Sequence, residues 1–380
     1  MRNSCFCATP ASASLNNKAA LYLGIMSGTS TDGIDAILAD FIEPVPRVIG
    51  FHSEDFAPPL RGQLLALNVA GENEIERSCL TANKLVDAYA SAISTLLANT
   101  GTAPADIAAI GCHGQTVRHR PDLGFTVQLN NPARLAELTS IDVVADFRSR
   151  DIAAGGQGAP LVPAFHDGVF RSEIETRVIL NIGGIANITI LEKDKPAWGF
   201  DCGPGNCLMD TWIDTHQGKR FDEGGAWAAR GHTLPRVLSQ YLSDAYFRQA
   251  PPKSTGRDRF NLEWLEQKLT GNENAVDVQS TLLDLTAASI ADDIERYAPD
   301  CTRVLICGGG AQNPLLMSRI AQRMPGATIA RTDSLGVPAQ QVEALAFAWF
   351  AKQTIERRAM DLRATTGASH AAILGAIYPK

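Results

Sequence analysis

The chain has 380 residues, a length for two or three domains, and its 45% apolar against 20% charged residues exclude a disordered chain. Lys and Arg number 34 and Asp and Glu 41, a net charge of -7 with the signs interspersed, which argues against a dedicated nucleic-acid binder and leaves nucleotide binding open. No apolar run approaches the roughly 18 residues of a membrane span, and the eight cysteines are too scattered for a disulfide scaffold, which points to thiols in a reducing cytosol.

Met1 to Lys18 lacks the apolar stretch of a signal peptide, so residues 1–20 read as a disordered leader or an over-early start. Leu21 to Phe41 reads as strand, polar glycine turn and strand. A helix is expected over Glu74 to Leu97, where Leu85, Tyr89, Ile93 and Leu96 recur on one face. Strands are expected at Ile107 to Gly111, Phe125 to Leu129 and Ile141 to Ala145. Asp146 to Pro163 is too polar and glycine-rich for a core element and reads as a crossing between lobes or an active-site loop. Arg177 to Leu191 repeats the strand-turn-strand shape of the first hairpin. This internal echo would put one such hairpin in each of two lobes, facing a shared cleft. Pro251 to Asn261 is a polar loop with four charges, for which a solvated linker is the plain reading. Leu282 to Tyr297 and Pro338 to Ile355 are expected helices. Between them, Arg303 to Leu316 reads as strand, glycine turn and a helix capped by Asn313, with Pro314 at its first position. Short strands mixed with long amphipathic helices make an α/β protein.

Three glycine clusters carry the candidate chemistry. In the first, Gly24, Gly28 and Gly33 stand among the hydroxyls of Ser27, Thr29, Ser30 and Thr31. Successive backbone N–H groups in such a turn form an anion site, and Asp32 or Asp35 would hold water or Mg2+ beside a phosphate. The P-loop and dinucleotide spacings are both missing, and an ordinary polar hairpin is the alternative. Gly183 and Gly184, flanked by Asn181 and Asn187, form a second candidate phosphate turn. Gly308, Gly309 and Gly310 would let a flat base or ribose approach, although tight packing alone explains them too. Asp201 stands at an expected strand end before Gly203-Pro204-Gly205, a rigid position for a general base or for a turn cap. Asp146, Arg148, Arg150 and Asp151 form a charged run whose arginine forks suit phosphate or carboxylate, with a structural ion-pair cluster as the rival. His113 and Gln115 follow a strand at alternate positions, so both are candidates to reach a sugar. The nucleophile elbow and the zincin motif are missing, which disfavours a hydrolase triad or a standard zinc protease.

Together these segments resemble the anhydro-N-acetylmuramic acid kinase family. The matching stretches are GIMSGTSTDGIDA from Gly24, GCHGQTVRH from Gly111, DVVADFRSRDIAAGGQGAPLVPAFH from Asp142, NIGGIANIT from Asn181, GFDCGPGNCLMD from Gly199, PKSTGRDRFN from Pro252 and CGGGAQN from Cys307. The likeness runs from Tyr22 to Tyr378. It implies the two-lobed actin-like ATPase fold with ribonuclease H-like lobes, shared by sugar kinases, actin and Hsp70, with ATP and Mg2+ in the interlobe cleft. Lobe I would hold residues 21–151 and 350–380, and lobe II residues 152–349. The resemblance further implies a cytoplasmic, homodimeric enzyme of peptidoglycan recycling, with no nucleic-acid or membrane partner. Such an enzyme opens 1,6-anhydro-N-acetylmuramic acid with water and phosphorylates O6, giving N-acetylmuramate 6-phosphate and ADP.

In that setting Gly24, Ser27, Gly28, Thr29, Ser30, Asp32, Gly183 and Gly184 face the polyphosphate, and Asp32 also the metal. Gly308, Gly309, Gly310 and Asn313 approach adenosine, while His113, Gln115, Arg148, Arg150 and Asp151 meet the sugar. Asp201 is the base. Glu343, on the last long helix, helps orient the water, or else serves as a helix-end cap or ion pair. Two alternatives stay open: a kinase for another amino sugar or hexose, and a non-catalytic ATP-binding switch of the actin or Hsp70 class.

Overall fold

The computed structural model describes residues 21–28 and 31–380; the leader, Thr29 and Ser30 lie outside the described residues. β1 (Leu21–Met26), β2 (Gly33–Asp40) and β3 (Arg47–Asp55) form an antiparallel meander. α1 (Pro58–Ala66) and the long α2 (Glu74–Thr100) follow, and α2 buries the stripe of Leu85, Tyr89, Ile93 and Leu96 that its period foretold. Gly101 ends it in the left-handed conformation at φ 64, which satisfies the last carbonyls at no Cβ cost. β4 (Ile107–Cys112) lies parallel to β1. β5 (Gln115–Arg120) and β6 (Phe125–Leu129) pair as a separate two-stranded sheet, and α3 (Pro132–Thr139) leads to β7 (Val143–Ala145), parallel to β4.

The stretch read as a polar crossing holds more structure than expected. α4 (Phe147–Ala153) forms there, because Phe147 and Ile152 are buried among the charged residues, and α5 (Val162–Phe170) begins before it ends. The second unit then opens with β8 (Thr176–Ile182), β9 (Ile185–Leu191) and β10 (Trp198–Pro204), again antiparallel. α6 (Cys207–Gln217), α7 (Pro235–Leu242), α8 (Leu262–Glu266) and α9 (Ala275–Tyr297) follow. α9 starts well before Leu282, where the Asn274 side chain accepts the Val276 N–H at 3.2 Å. β11 (Cys301–Cys307) is parallel to β8, and α10 (Pro314–Arg323) is capped by Asn313 as its sequence requires. β12 (Thr328–Arg331) lies parallel to β11. α11 (Val342–Ile355) starts later than the expected Pro338, and α12 (Arg363–Thr366) leads to β13 (Ala376–Tyr378) on the edge beside β7. Among the described residues no helix is long and apolar enough to cross a membrane.

The two large sheets share one plan. Their strand orders are β13-β7-β4-β1-β2-β3 and β10-β9-β8-β11-β12. Leaving out β13 and counting only the strands within each sheet, both run third, second, first, fourth and fifth. The first three are antiparallel, and the last two run parallel to the first. The echo seen between the two hairpins is therefore a repeat of topology.

α11 lies directly on β1 and β4. A Cβ on Gly24 would strike the Ala344 carbonyl oxygen, and one on Gly111 the Phe347 carbonyl oxygen. Gly24, expected at the phosphate, is thus corrected to a packing role: it is buried in β1 and admits the helix. The chain passes between the sheets twice. Near the first passage, Gln157 N–H bonds the Thr366 carbonyl at 2.9 Å and Ser369 N–H the Ala154 carbonyl at 2.8 Å, which ties the end of α4 to the C-terminal stretch. At the second, Gly308 N–H bonds the Ala339 carbonyl at 2.9 Å just ahead of α11.

Candidate functional site

A cavity of about 620 Å3 lies where both passages meet the second sheet. Its wall brings together Arg148 of α4, Asn187 of β9, Asp201 of β10 and Glu343 at the head of α11. Asp201 is not at a strand end as expected. β10 runs on to Pro204, and its pairing slips so that Asp201 faces Asn187 while Gly203 faces Ala186. Such a bulge re-aims a side chain without ending the strand, and Gly203 at φ 149 is the residue that permits it. The Asp201 Oδ2 accepts the Ser254 hydroxyl and the Thr255 N–H, each at 3.0 Å, whereas Oδ1 has no hydrogen bond among the described residues. Burial pushes this carboxyl above its ordinary value, and those two donors and Lys253 pull the other way.

Both donors belong to the loop from Pro251 to Asn261. A solvated linker is the wrong description of it. Lys253 Nζ is buried 2.8 Å from the Asp293 carboxylate, Phe260 is buried, and Pro252, Lys253 and Ser254 line the cavity.

Glu343 is open to solvent along the cavity, with protein on its other sides. Loss of bulk water raises its carboxyl, and the Asp35 carboxylate raises it further against the pull of Arg148. Burial brings the Arg148 guanidinium down to about 10, so it stays charged at neutral pH. Its Nε and Nη2 donate to His113 Nε2 at 3.1 and 3.0 Å, and Nη1 donates to the Gly158 carbonyl at 2.8 Å. His113 is buried 4.6 Å from the Phe347 ring, and burial and Arg148 hold it neutral. It therefore aims Arg148 and does not itself line the cavity.

Other expected sugar residues lie elsewhere. Gln115 Nε2 donates to the Gly28 carbonyl at 2.9 Å and so holds the first glycine loop. Asp151 is buried, accepting Gly158 N–H at 2.7 Å and the Thr366 hydroxyl at 2.8 Å. Arg150 is exposed on α4, away from the cavity wall. In the first loop the Ser27 hydroxyl turns inward to Tyr89 at 2.7 Å, and Asp32 is half-exposed, 3.4 Å from Arg61.

The other two glycine clusters are neighbours, because β8 and β11 pair with Asn181 opposite Cys307. The Gly183 carbonyl accepts Asn206 N–H at 2.8 Å, and the Gly184 carbonyl accepts Gly205 and Cys207 N–H at 2.9 and 3.1 Å, which fixes the turn to the start of α6. Gly308 takes φ 81, and a Cβ on Gly310 would strike Ile182, so both are required by the fold. Gly309 is different: a Cβ there would meet only Asn206 Nδ2, at 3.7 Å. Asn313 spends its side-chain oxygen on the Leu316 N–H at 3.1 Å.

Sequence reasoning assigned no role to four residues on this wall, although all four lie within the matching stretches. His119 and His166 line the cavity from β5 and α5, and His166 is held neutral at about 3 by burial. An apolar or polar neighbourhood along the chain gave no sign of them. Lys253 and Ser254 sat inside a recognised motif, yet no local pattern tied them to Asp201.

The family model for anhydro-N-acetylmuramic acid kinase matches residues 20–380. The chain is 50% identical over 371 residues to an anhydro-N-acetylmuramic acid kinase of Cupriavidus metallidurans, covering 95% of this chain and 98% of the relative. It is 51% identical over 360 residues to one of Nitrosomonas europaea, covering 94% and 99%. Among solved structures it is similar to a ROK family glucokinase from Streptomyces griseus in complex with glucose and AMPPNP, at 15% identity and a TM-score of 0.44, over 88% of this chain and 99% of that one. With half of its residues identical across nearly its whole length, the chain belongs to the anhydro-N-acetylmuramic acid kinase family.

Proposed function

We propose that the chain catalyses ATP-dependent opening and phosphorylation of 1,6-anhydro-N-acetylmuramic acid, giving N-acetylmuramate 6-phosphate and ADP in peptidoglycan recycling. The observation that carries this reading is the meeting of Asp201, Arg148 and Glu343, from three separate elements, on one cavity wall. Asp201 takes a proton from water at its free Oδ1. The water oxygen bonds to C1, the C1–O6 bond breaks, O6 bonds to the γ-phosphorus, and the bond from that phosphorus to ADP breaks. Glu343 orients the water. The charged fork of Arg148, aimed by His113, takes the sugar's carboxylate.

Gly183 and Gly184 and the loop from Ser27 to Ser30 border the polyphosphate in this reading, with Gly309 against adenosine. Mg2+ neutralises phosphate charge when bound. Phosphates and water would supply most of its ligands, with Asp32 as the candidate protein carboxylate. The repeated strand plan supports ribonuclease H-like lobes with ATP in the cleft between them. Because α11 packs on the first sheet, lobe I takes back the chain at about Val342 instead of Phe350. We further propose a cytoplasmic homodimer; the exposed Phe125 and Val127 on β6 offer apolar surface for self-association.

The test is to incubate the protein with Mg-ATP and the anhydro sugar in heavy-oxygen water and to read products by mass spectrometry. ADP and a sugar phosphate labelled at C1, before hemiacetal exchange completes, are expected. Unlabelled phosphorylation of another hexose would point to an ordinary sugar kinase, and nucleotide binding with no turnover to a switch. Absence of both products overturns the reading.

A further inference from the structure

The loop from Pro251 to Asn261 reaches past the cavity to the second glycine turn. Its first half is pinned: Lys253 to Asp293, and Ser254 and Thr255 to Asp201. A turn closed by Arg259 and Phe260 N–H on the Gly256 carbonyl, at 3.2 and 3.1 Å, then turns Arg257 outward. Arg257 is exposed, and among the described residues no hydrogen bond or ion pair engages its guanidinium. Its neighbour Arg259, by contrast, is paired with Asp244.

The guanidinium nevertheless has a defined place. It lies over Gly184, where an added Cβ would stand 3.0 Å from Nε and 3.1 Å from Nη2. Only a residue without a side chain lets that edge of the fork come so close. The turn beneath is rigid, since both its carbonyls are bonded to the start of α6. Asp210 on α6 feels the Arg257 charge: burial raises its carboxyl to about 6 while Arg257 pulls it down. An unpaired fork packed on a glycine turn is a seat for a tetrahedral anion, with the remaining donors pointing away from the backbone.

We infer that Arg257 binds the terminal phosphoryl group of ATP over the Gly183–Gly184 turn, as a further catalytic residue carried on the same loop that holds Asp201. The inference rests on the reading of that turn as a polyphosphate site. Charge spreads over the phosphoryl oxygens during transfer, and a planar cation fixed beside them stabilises it. The loop also links the two halves of the reaction. Ser254 and Thr255 fix the carboxylate that activates water, and two residues later the chain presents the cation for the phosphoryl group.

The test compares Mg-ADP with the non-hydrolysable β,γ-imido analogue of ATP by calorimetry, in the wild-type protein and in Arg257→Ala and Arg257→Lys. Arg257→Ala should weaken the triphosphate analogue by about tenfold or more and ADP by less than about threefold, as expected for loss of one charge-assisted contact. Its kcat should fall by about a hundredfold or more. Arg257→Lys should recover part of both losses. Equal weakening of the two nucleotides, or unchanged binding of both with kcat within about twofold of wild type, would overturn the inference. Wild-type protein that binds the analogue but turns over no anhydro sugar would overturn the sugar reading and leave the discrimination between nucleotides to decide Arg257. Wild-type protein that binds neither nucleotide would overturn both.

Discussion

Asp201 has one oxygen held and one free, so exchanging the carboxylate for an amide separates a base from a clamp. Asp201→Asn should keep nucleotide and sugar binding while turnover falls by at least about a hundredfold, measured by steady-state kinetics alongside calorimetry. Near-wild-type turnover in the folded variant would remove Asp201 from the role, and loss of sugar binding would make it a ligand clamp. The pH dependence has a definite sign. Burial raises the Asp201 pKa and the base works only when ionised, so kcat/KM should drop as pH falls through a value above the usual ~3.9 of aspartate. Gly309→Ala probes the nucleotide without disturbing the fold, since the new methyl has room. ATP affinity should weaken while the melting temperature stays put. Gly310→Ala, driven into Ile182, should lower the melting temperature instead. Asp201 stood out in the sequence as a carboxylate before Gly-Pro-Gly, and it lines the cavity. Its bulge did not, since a slipped register depends on the partner strand. Gly24 was misjudged for a related reason: a helix laid on a strand and a bound phosphate both ask for a missing Cβ, and only the far end of the chain decides between them.

Among the elements, periodicity found α2, and turn chemistry found both hairpins and the capped start of α10. These are signals carried within a dozen residues. The sequence was silent where an element is defined by what it touches. α4 hides two buried apolar side chains in a charged run, and the loop from Pro251 to Asn261 is anchored by one buried ion pair. Lys253 and Asp293 are almost fully enclosed, so removing one leaves the other charge stranded. Lys253→Ala should cost about 3–5 kcal/mol in denaturant unfolding. Its turnover should fall as well, because Ser254 and Thr255 lose their anchor. Unchanged stability would mean that the loop is held by Phe260 and its neighbours alone. Lys253→Met, which fills the space but still strands Asp293, should not restore activity.

At the scale of the molecule, one strand plan occurs twice, and the cavity lies on its second copy, bordered by both passages of the chain. Each passage is short and bonded at its edges, at Gln157 on one side and at Gly308 on the other. Movement of the halves should therefore be a hinge about these two points. The radius of gyration in solution scattering should fall when the β,γ-imido analogue of ATP and the anhydro sugar are added together, and an unchanged value would mean a rigid cleft. The contact of α11 with the first sheet gives this motion a chemical reading. Gly24 and Gly111 leave no side chain between helix and strands, so α11 has no slack and Glu343 at its head travels with the first sheet. Asp201 is woven into β10 and travels with the second. The two carboxylates are the jaws of a caliper. In the proposed mechanism one water rests between them, so a closing movement would time hydrolysis and phosphoryl transfer together, and a variant that merely wedges the jaws apart should keep every proposed catalytic group and lose the reaction.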